Sequence, residues 1–304
     1  MNRRNFIQKA GVATLMTSTG TFPLSAFAKD DLIKLTVLHT NDVHSRVEPF
    51  PMDGSRNEGK GGAARRASLI QSIREQEENL LLLDAGDIFQ GTPYFNFFLG
   101  ELEFKLMTAM KYDAATLGNH DFDAGLEGLH KQLPHANFPF LIGNYDFRNT
   151  IMEGKTQPYK IFKKGGLKIG VLGVGIELEG LVAQKHFKGV QYLDPIKTAN
   201  NYAQELKQEH KCDLVICLSH LGYRYRDNTV SDVLLAENSR HIDVIIGGHT
   251  HTFMKTAESY QNLDQEEVII NQVGFAGILM GRLDFYFERN KKGKCMTCGN
   301  KLIE

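Results

Sequence analysis

Several things are scarce or missing in this chain. Its 304 residues include no tryptophan, an absence from which nothing follows. Neither sign of charge prevails, with a formal net charge of −1. The chain therefore lacks the basic face that nucleic-acid binding needs. Cysteine is sparse, limited to Cys212, Cys217, Cys295 and Cys298. Cys217 lies in the apolar run LVICLSH and reads as a buried, inert thiol. Cys212 and Cys217 are five apart on one expected strand, so their side chains point to opposite faces, which argues against a bridge. Cys295-Met-Thr-Cys298 has C-x-x-C spacing, but no second such pair accompanies it. An exposed disulfide is the better expectation there than a zinc ribbon. No segment after residue 28 is apolar enough to span a bilayer. What remains is ample for a large core, since 42% of residues are hydrophobic. One layered domain fits that length as well as two small ones.

The first 28 residues stand apart. Asn2-Arg3-Arg4-Asn5-Phe6-Ile7-Gln8-Lys9 is a twin-arginine pattern, followed by a weakly apolar stretch over residues 10–27. Ser25-Ala26-Phe27-Ala28 offers small residues at the two positions a signal peptidase reads. The plainer alternative is a short amphipathic N-terminus that happens to carry two arginines. The expectation is an export signal over residues 1–28 and a periplasmic or secreted protein with no integral membrane segment after cleavage. A folded domain over 29–288 and a polar, basic tail over 289–304 complete the expected organisation.

Strand and helix patterns alternate from residue 33 onward. Strands are expected over 33–39, 80–83, 114–117, 138–142, 159–162, 167–174, 214–218 and 244–246, with a strand–turn–strand unit over 267–288. Helices are expected over 63–78, 94–110, 125–133, 195–210 and 230–236. Apolar strands interleaved with helices imply an α/β fold with covered sheets. The number of strands is high for a single open sheet, so two packed sheets with helices outside are expected. Residues 48–62 form a loop long enough for a lid or surface arm.

Candidate metal ligands recur at the ends of these strands. They are Asp42 and His44 in HTNDVHS, Asp87 in LLLLDAGDIFQG, Asn119 in TLGNHDFD, His220 in VICLSHLG, and His249 and His251 in VIIGGHTH. In α/β folds, sites gather at the carboxyl ends of strands. Asp42 and His44 are two apart, as are His249 and His251, and in extended chain such pairs face one side. Asn119 and His120 are adjacent and must point differently. Carboxylate, carboxamide and imidazole suit Zn, Mn, Fe or Co, and the lack of thiolates argues against a closed structural zinc site. Asp87 has two oxygens and can bridge two ions. Two divalent ions, two carboxylates and a bridging hydroxide give the site a charge of about +1, which favours an anion gaining charge in its transition state. Ions about 3.5–4 Å apart would deprotonate the water between them and align it for attack on a phosphate ester. Asp123 could hold His120 charged, ready to stabilise phosphoryl oxygens or protonate a leaving alkoxide.

Each piece alone is weak. Asp-x-His after a strand is more often surface decoration, Gly-Asp is usually a turn, and a lone His220 is more often a satisfied polar group. The remaining histidines (His39, His130, His135, His186, His210 and His241) read as structural or surface. The ordered set carries the weight.

That set, D-x-H, GD, GNH, H and GHTH, resembles the calcineurin-like metallophosphatase superfamily. HTNDVHS, GGAARRASLI, LDAGDIFQGTP, YDAATLGNHDFD and GGHTH are similar to the N-terminal catalytic domain of bacterial 5′-nucleotidases, over residues 32–288. The resemblance implies a four-layer αββα sandwich of two mixed sheets with helices outside, and a dinuclear site. One ion would take Asp42, His44, Asp87 and His251, and the other Asp87, Asn119, His220 and His249. The family's His-Asp dyad falls on His120 and Asp123, with Asn119 and His120 facing the substrate. Glu is common after the family's GNH motif; here Asp121 stands there, with little effect on ligation expected. The family's second domain, which stacks a nucleobase between aromatic rings, has no counterpart in the 304 residues. The expected activity is hydrolysis of phosphate monoesters, nucleoside 5′-phosphates first. A 2′,3′-cyclic nucleotide phosphodiesterase or a nucleotide-sugar hydrolase would use the same site, and a thiosulfohydrolase is a more distant relative. Either the substrate differs or a separate chain supplies the missing half. A non-catalytic binding subunit of such a two-chain complex is the alternative of another class, and the presence of His120 and Asp123 argues against it.

Overall fold

A computed structural model describes residues 32–288 and 294–303. The twin-arginine segment lies outside the described residues, as do the side chains of Cys295 and Cys298. In chain order the elements are β1 (Leu32–Thr40), α1 (Ala63–Gln76), β2 (Leu80–Asp84), α2 (Pro93–Phe98), α3 (Glu101–Ala109), β3 (Ala114–Ala115), α4 (Gly125–Gln132), β4 (Tyr145–Asp146), β5 (Tyr159–Lys164) and β6 (Leu167–Gly175). There follow β7 (Gln191–Tyr192), α5 (Pro195–Gln208), β8 (Leu214–His220), α6 (Asp232–Glu237), β9 (Val244–Gly247), β10 (Glu258–Gln261), β11 (Glu267–Asn271), β12 (Leu279–Glu288) and β13 (Lys294–Leu302).

The layering follows from the period of two along each strand. Leu81 and Leu83 of β2 join Leu35 and Val37 of β1, Ile216 and Leu218 of β8, and Val244 and Ile246 of β9 in one apolar cluster. Their neighbours face away. Leu80, Leu82 and Leu38 pack with Ile70, Phe104, Met107 and Leu129 from α1, α3 and α4. Val215, Cys217 and Ile245 pack with Ala199, Ala203 and Leu206 of α5 and Leu235 and Ala236 of α6. Three apolar layers separate four layers of secondary structure, αββα. Both faces of the central strands are covered, so those strands read as continuous apolar runs rather than alternating ones.

The sheets are mixed. One has the order β13-β12-β1-β2-β3 and the other β10-β11-β9-β8-β6-β5, with β4 and β7 as a separate pair. Within the first, β1, β2 and β3 are parallel and β12 runs antiparallel to β1. Within the second, β6, β8, β9 and β11 are parallel. The expected hairpin over 159–174 forms, turning at Gly165-Gly166 between Lys164 and Leu167. A buried polar tie crosses between sheets, where the Asn271 amide meets His39 Nε2 at 2.9 Å. Burial pushes the His39 pKa down to about 3 and keeps that imidazole neutral.

The outer helices are set by caps and one-sided burial. Asp194 accepts from Lys197 N at 3.0 Å and Pro195 opens α5. Ser231 caps α6 through Leu234 N at 3.3 Å. Cys212 and Cys217 are free and buried.

Three expectations are corrected. The single helix over 94–110 is two, α2 and α3, broken where Leu99 and Gly100 turn left-handed with φ of 51° and 97°. A Cβ on Gly100 would overlap the Phe89 ring, so the chain bends around that buried aromatic. The strand over 138–142 shrinks to isolated bridges, Ala115 with Phe140 and Leu141 with Gln157. Pro139 has no N–H to continue a ladder. Residues 294–302, read as part of a tail, form β13 against β12. Ile303, 1% exposed, anchors the end of that strand.

Candidate metal centre

Every candidate ligand sits just past, or at the end of, a parallel strand, and the two sheets deliver them from opposite sides. Asp42 and His44 follow β1, Asp87 follows β2, Asn119 follows β3, His220 ends β8, and His249 and His251 follow β9. The structure brings all seven side chains to one place. Asp42, His44 and His251 form one group able to hold a cation, and Asp87, His220 and His249 a second. In the first, His44 Nε2 and His251 Nε2 are 2.9 Å apart, and His251 Nε2 is 3.3 Å from Asp42 Oδ1. In the second, His220 Nε2 lies 3.1 Å from Asp87 Oδ2. Asp87 Oδ2 also lies 3.8 Å from His44 Nε2, so this oxygen stands between the two groups. Asn119 Oδ1 is 2.8 Å from His249 Nδ1.

The pairs converge by a route the spacing did not anticipate. Extended backbone was expected to put i and i+2 on one side. Instead Asp42, His44, Asp87, His249 and His251 all have positive φ, between 50° and 71°. Left-handed backbone at a residue with a Cβ costs roughly 1–3 kcal/mol and persists where the surroundings impose it. Those surroundings are visible. His249 N donates to both carboxylate oxygens of Asp42 at 3.0 Å. Asp42 N and His44 N donate to Gly86 O and Asp87 O at 2.9 and 3.0 Å. Gly118 is glycine because a Cβ there would overlap the Asp87 carboxylate.

Orientation and charge fit cation binding. Donation from His44 Nδ1 to Phe89 O (3.2 Å) and from His220 Nδ1 to Ala85 O (2.7 Å) frees both Nε2 atoms for ligation. His220 is fully buried and its Nε2 has no hydrogen-bond partner, an orphan that a metal ion would satisfy. Burial, followed by the charge of His220, pushes the His249 pKa down to about 4, leaving the neutral imidazole that ligation requires. Burial also lowers His44, against the charges of Asp87 and Asp42. Burial would raise Asp87, but the positive charge that His220 carries while no ion takes the place of its Nε2 proton holds the Asp87 pKa well below the usual carboxylate range. These donors are all oxygen and nitrogen, as the sequence indicated, and they fit a pair of divalent ions.

His120 and Asp123 stand beside this centre. His120 Nδ1 is 2.8 Å from Asp123 Oδ2, and the His120 ring is 5.3 Å from that of His44, edge to face. The Asp123 hydrogen bond raises the His120 pKa, against partial burial and with help from Asp87. His120 also donates its backbone N–H to Asp87 Oδ1 at 2.8 Å.

The parts played by two residues, Asp121 and Asn41, were not read from the sequence. The Asp121 carboxylate is fully buried and accepts four backbone N–H groups. Oδ2 takes Asp87 N (3.1 Å) and Gly118 N (2.8 Å), and Oδ1 takes Ile88 N (3.0 Å) and Phe89 N (3.1 Å). It clamps the turn that aims Asp87. Asn41 joins the Asp42 loop to the segment after β11, accepting from Val273 N at 2.9 Å and donating to Gly274 O at 2.7 Å. For Asn41 the only signal was a polar residue flanking a ligand, whereas Asp121 stood out after the GNH motif and was expected to matter little for ligation.

With this geometry in place, the relatives are informative. Residues 35–253 match the family model described as calcineurin-like phosphoesterase. The chain belongs to that family. It is 36% identical to a snake venom 5′-nucleotidase of Crotalus adamanteus over 89% of this chain and 48% of that protein. It is 34% identical to a 5′-nucleotidase of Vibrio vulnificus over 93% of this chain and 54% of the relative. Among solved structures, a 5′-nucleotidase precursor from Thermus thermophilus superposes with a TM-score of 0.78 at 30% identity, covering 89% of this chain and 55% of that one. The chain thus spans about half the length of the curated relatives it matches.

Proposed function

We propose that this chain is a dinuclear metal-dependent hydrolase of phosphate monoesters, with nucleoside 5′-phosphates as its substrates. The observation that carries this reading is the pair of ligand groups, Asp42/His44/His251 and Asp87/His220/His249, with Asp87 Oδ2 3.8 Å from His44 Nε2 between them. Asp42, His44 and His251 would hold one ion and His220, His249 and Asn119 the other, with Asp87 facing both. When bound, such a pair supplies the positive charge that draws a phosphoryl group and acidifies a water. The protein's own groups do the rest. His120, its pKa raised by the Asp123 hydrogen bond, hydrogen-bonds the phosphoryl oxygens and in its protonated form hands a proton to the departing alkoxide. Asn119 lies beside His120 and orients the ester. Asp121 and Gly118 hold the Asp87 carboxylate in place. The names of the relatives support a nucleotide substrate. A separate polypeptide completing the site, expected above, finds no support in the relatives, and the reading is confined to this chain.

Export through the twin-arginine route remains part of the proposal, resting on residues 1–28. No helix among the described residues is long and apolar enough to cross a membrane. The deciding experiment is a substrate panel on metal-reconstituted protein: AMP, ADP, UDP-glucose, 2′,3′-cyclic AMP and an aryl phosphate, with metal content measured on the same sample. AMP should turn over fastest with two ions bound. Preference for the cyclic ester or the nucleotide sugar would move the substrate assignment, and no turnover with both ions bound would sink the hydrolytic reading.

A further inference from the structure

We propose that Phe253 and Phe275 form an aromatic shelf beside the metal centre that receives a planar ring, nucleobase or aryl, of the phosphate ester's leaving group. The proposal deepens the hydrolytic reading and rests on it for the position of the phosphoryl group.

The shelf is built onto the ligand loops. Phe275 stacks on the imidazole of His251, with centroids 5.1 Å apart and planes 16° apart. Its backbone is tied on both sides to the Asp42 loop: Gly274 O accepts from Asn41 Nδ2, and Ala276 N donates to Asp42 O, each at 2.7 Å. Phe253 lies edge-on to Phe275 at 5.8 Å and 77°. Gly274 N donates to Thr252 O at 2.9 Å, and Phe253 bridges Val273. A side chain at Gly274 would overlap the Phe253 ring, so that ring lies across bare backbone. Phe50 closes the far side, edge-on to Phe275 at 6.4 Å, with the Arg46 guanidinium 4.1 Å above it.

Phe253 is nevertheless 45% exposed. A ring held this firmly, half in water, and one aromatic contact away from a metal ligand is a surface prepared for a flat apolar partner. Its position suits a leaving group. The His44 ring lies between His120 and His251, 5.3 and 5.0 Å from each. An ester whose leaving oxygen takes a proton from His120 lies across His44 and His251 and meets Phe275 and Phe253 beyond them. A sugar between phosphate and base gives that reach. The chain would therefore discriminate between aromatic and non-aromatic phosphate esters with its own residues.

The test uses the metal-loaded full chain and two non-hydrolysable probes, the 5′-methylenephosphonate analogues of AMP and of ribose 5-phosphate, titrated by calorimetry. The wild type should bind the AMP analogue, which carries the base, more tightly. Phe253→Ala should cut that preference by about ten-fold, the size of one aromatic stacking contact, and Phe253→Trp should retain it. Equal binding of the two probes by the wild type, an intact preference in Phe253→Ala, or equal losses in the Ala and Trp variants would each overturn the shelf. Turnover of phenyl phosphate and AMP is measured alongside. Binding preference without turnover would sink the hydrolytic reading and leave the shelf standing. Turnover without preference would do the reverse.

Discussion

At the scale of single residues, the centre depends on carboxylates that do different work. Asp87 faces both ligand groups, whereas Asp121 touches neither and instead collects four N–H groups around the turn that carries Asp87. Replacing Asp121 with Asn turns an amide NH₂ toward backbone donors and loosens that turn. Metal affinity should fall by about 10–100-fold, the usual penalty for losing a supporting partner of a ligand. Asp87→Asn should instead leave fewer than two ions at any practical metal concentration. Metal titration of both variants separates the two roles, and equal metal content in all three proteins would refute them. His120→Asn should keep both ions and slow turnover by about 10²–10⁴-fold, as loss of a placed acid does. The slowing should be largest for AMP and smallest for an activated aryl phosphate; equal slowing would leave His120 an electrostatic role only. All seven ligand candidates were legible as residue types at strand ends. Their backbone was not, because a left-handed turn is imposed by partners distant in sequence, such as the Asp42 carboxylate on His249 N.

At the scale of elements, periodicity located most strands and helices, and what it missed has local causes. The run PYFNFFLGELEFKLM is rich in apolar and aromatic residues and reads as one helix. Nothing in the run itself reports that Gly100 must pass over Phe89. Gly100→Ala should therefore cost about 1–3 kcal/mol, combining strain at positive φ with the steric overlap. Urea denaturation checks this, with a lowered midpoint at unchanged slope as the expected outcome. The last strand hid for another reason. KCMTCGNKL carries two lysines and no long apolar run, the composition of a tail. An edge strand needs only backbone pairing on one side, and lysine is a common guard against further pairing. Residues 48–62, expected as a lid or arm, are pinned at the neck where Phe50 N donates to Lys60 O at 2.9 Å and Gly59 N to Phe50 O at 3.1 Å. That closure favours an arm over a freely swinging lid.

At the scale of the whole molecule, the candidate metal centre lies on the seam between two sheets. Asp42, His44, Asp87 and Asn119 come from one sheet, and His220, His249 and His251 from the other. Polar contacts already cross the seam at this end, among them His249 N to Asp42, His220 Nδ1 to Ala85 O and His249 Nδ1 to Asn119 Oδ1. Ions bound by ligands from both sides would tie the sheets together, so metal binding and fold stability must be linked. Metal at 100 times its dissociation constant contributes about 2.7 kcal/mol. For a domain of this size, its removal should lower Tm by roughly 5–10 °C. Calorimetry of the loaded protein against the same protein treated with chelator reads the shift directly. The same comparison on Asp87→Asn should show a much smaller difference, because that variant has already lost the carboxylate facing both groups. If chelation strips both ions and Tm stays within about one degree, the ligands do not bridge the sheets and the centre must be held by one side alone. Full recovery of Tm on adding back a divalent metal distinguishes this linkage from irreversible damage by the chelator.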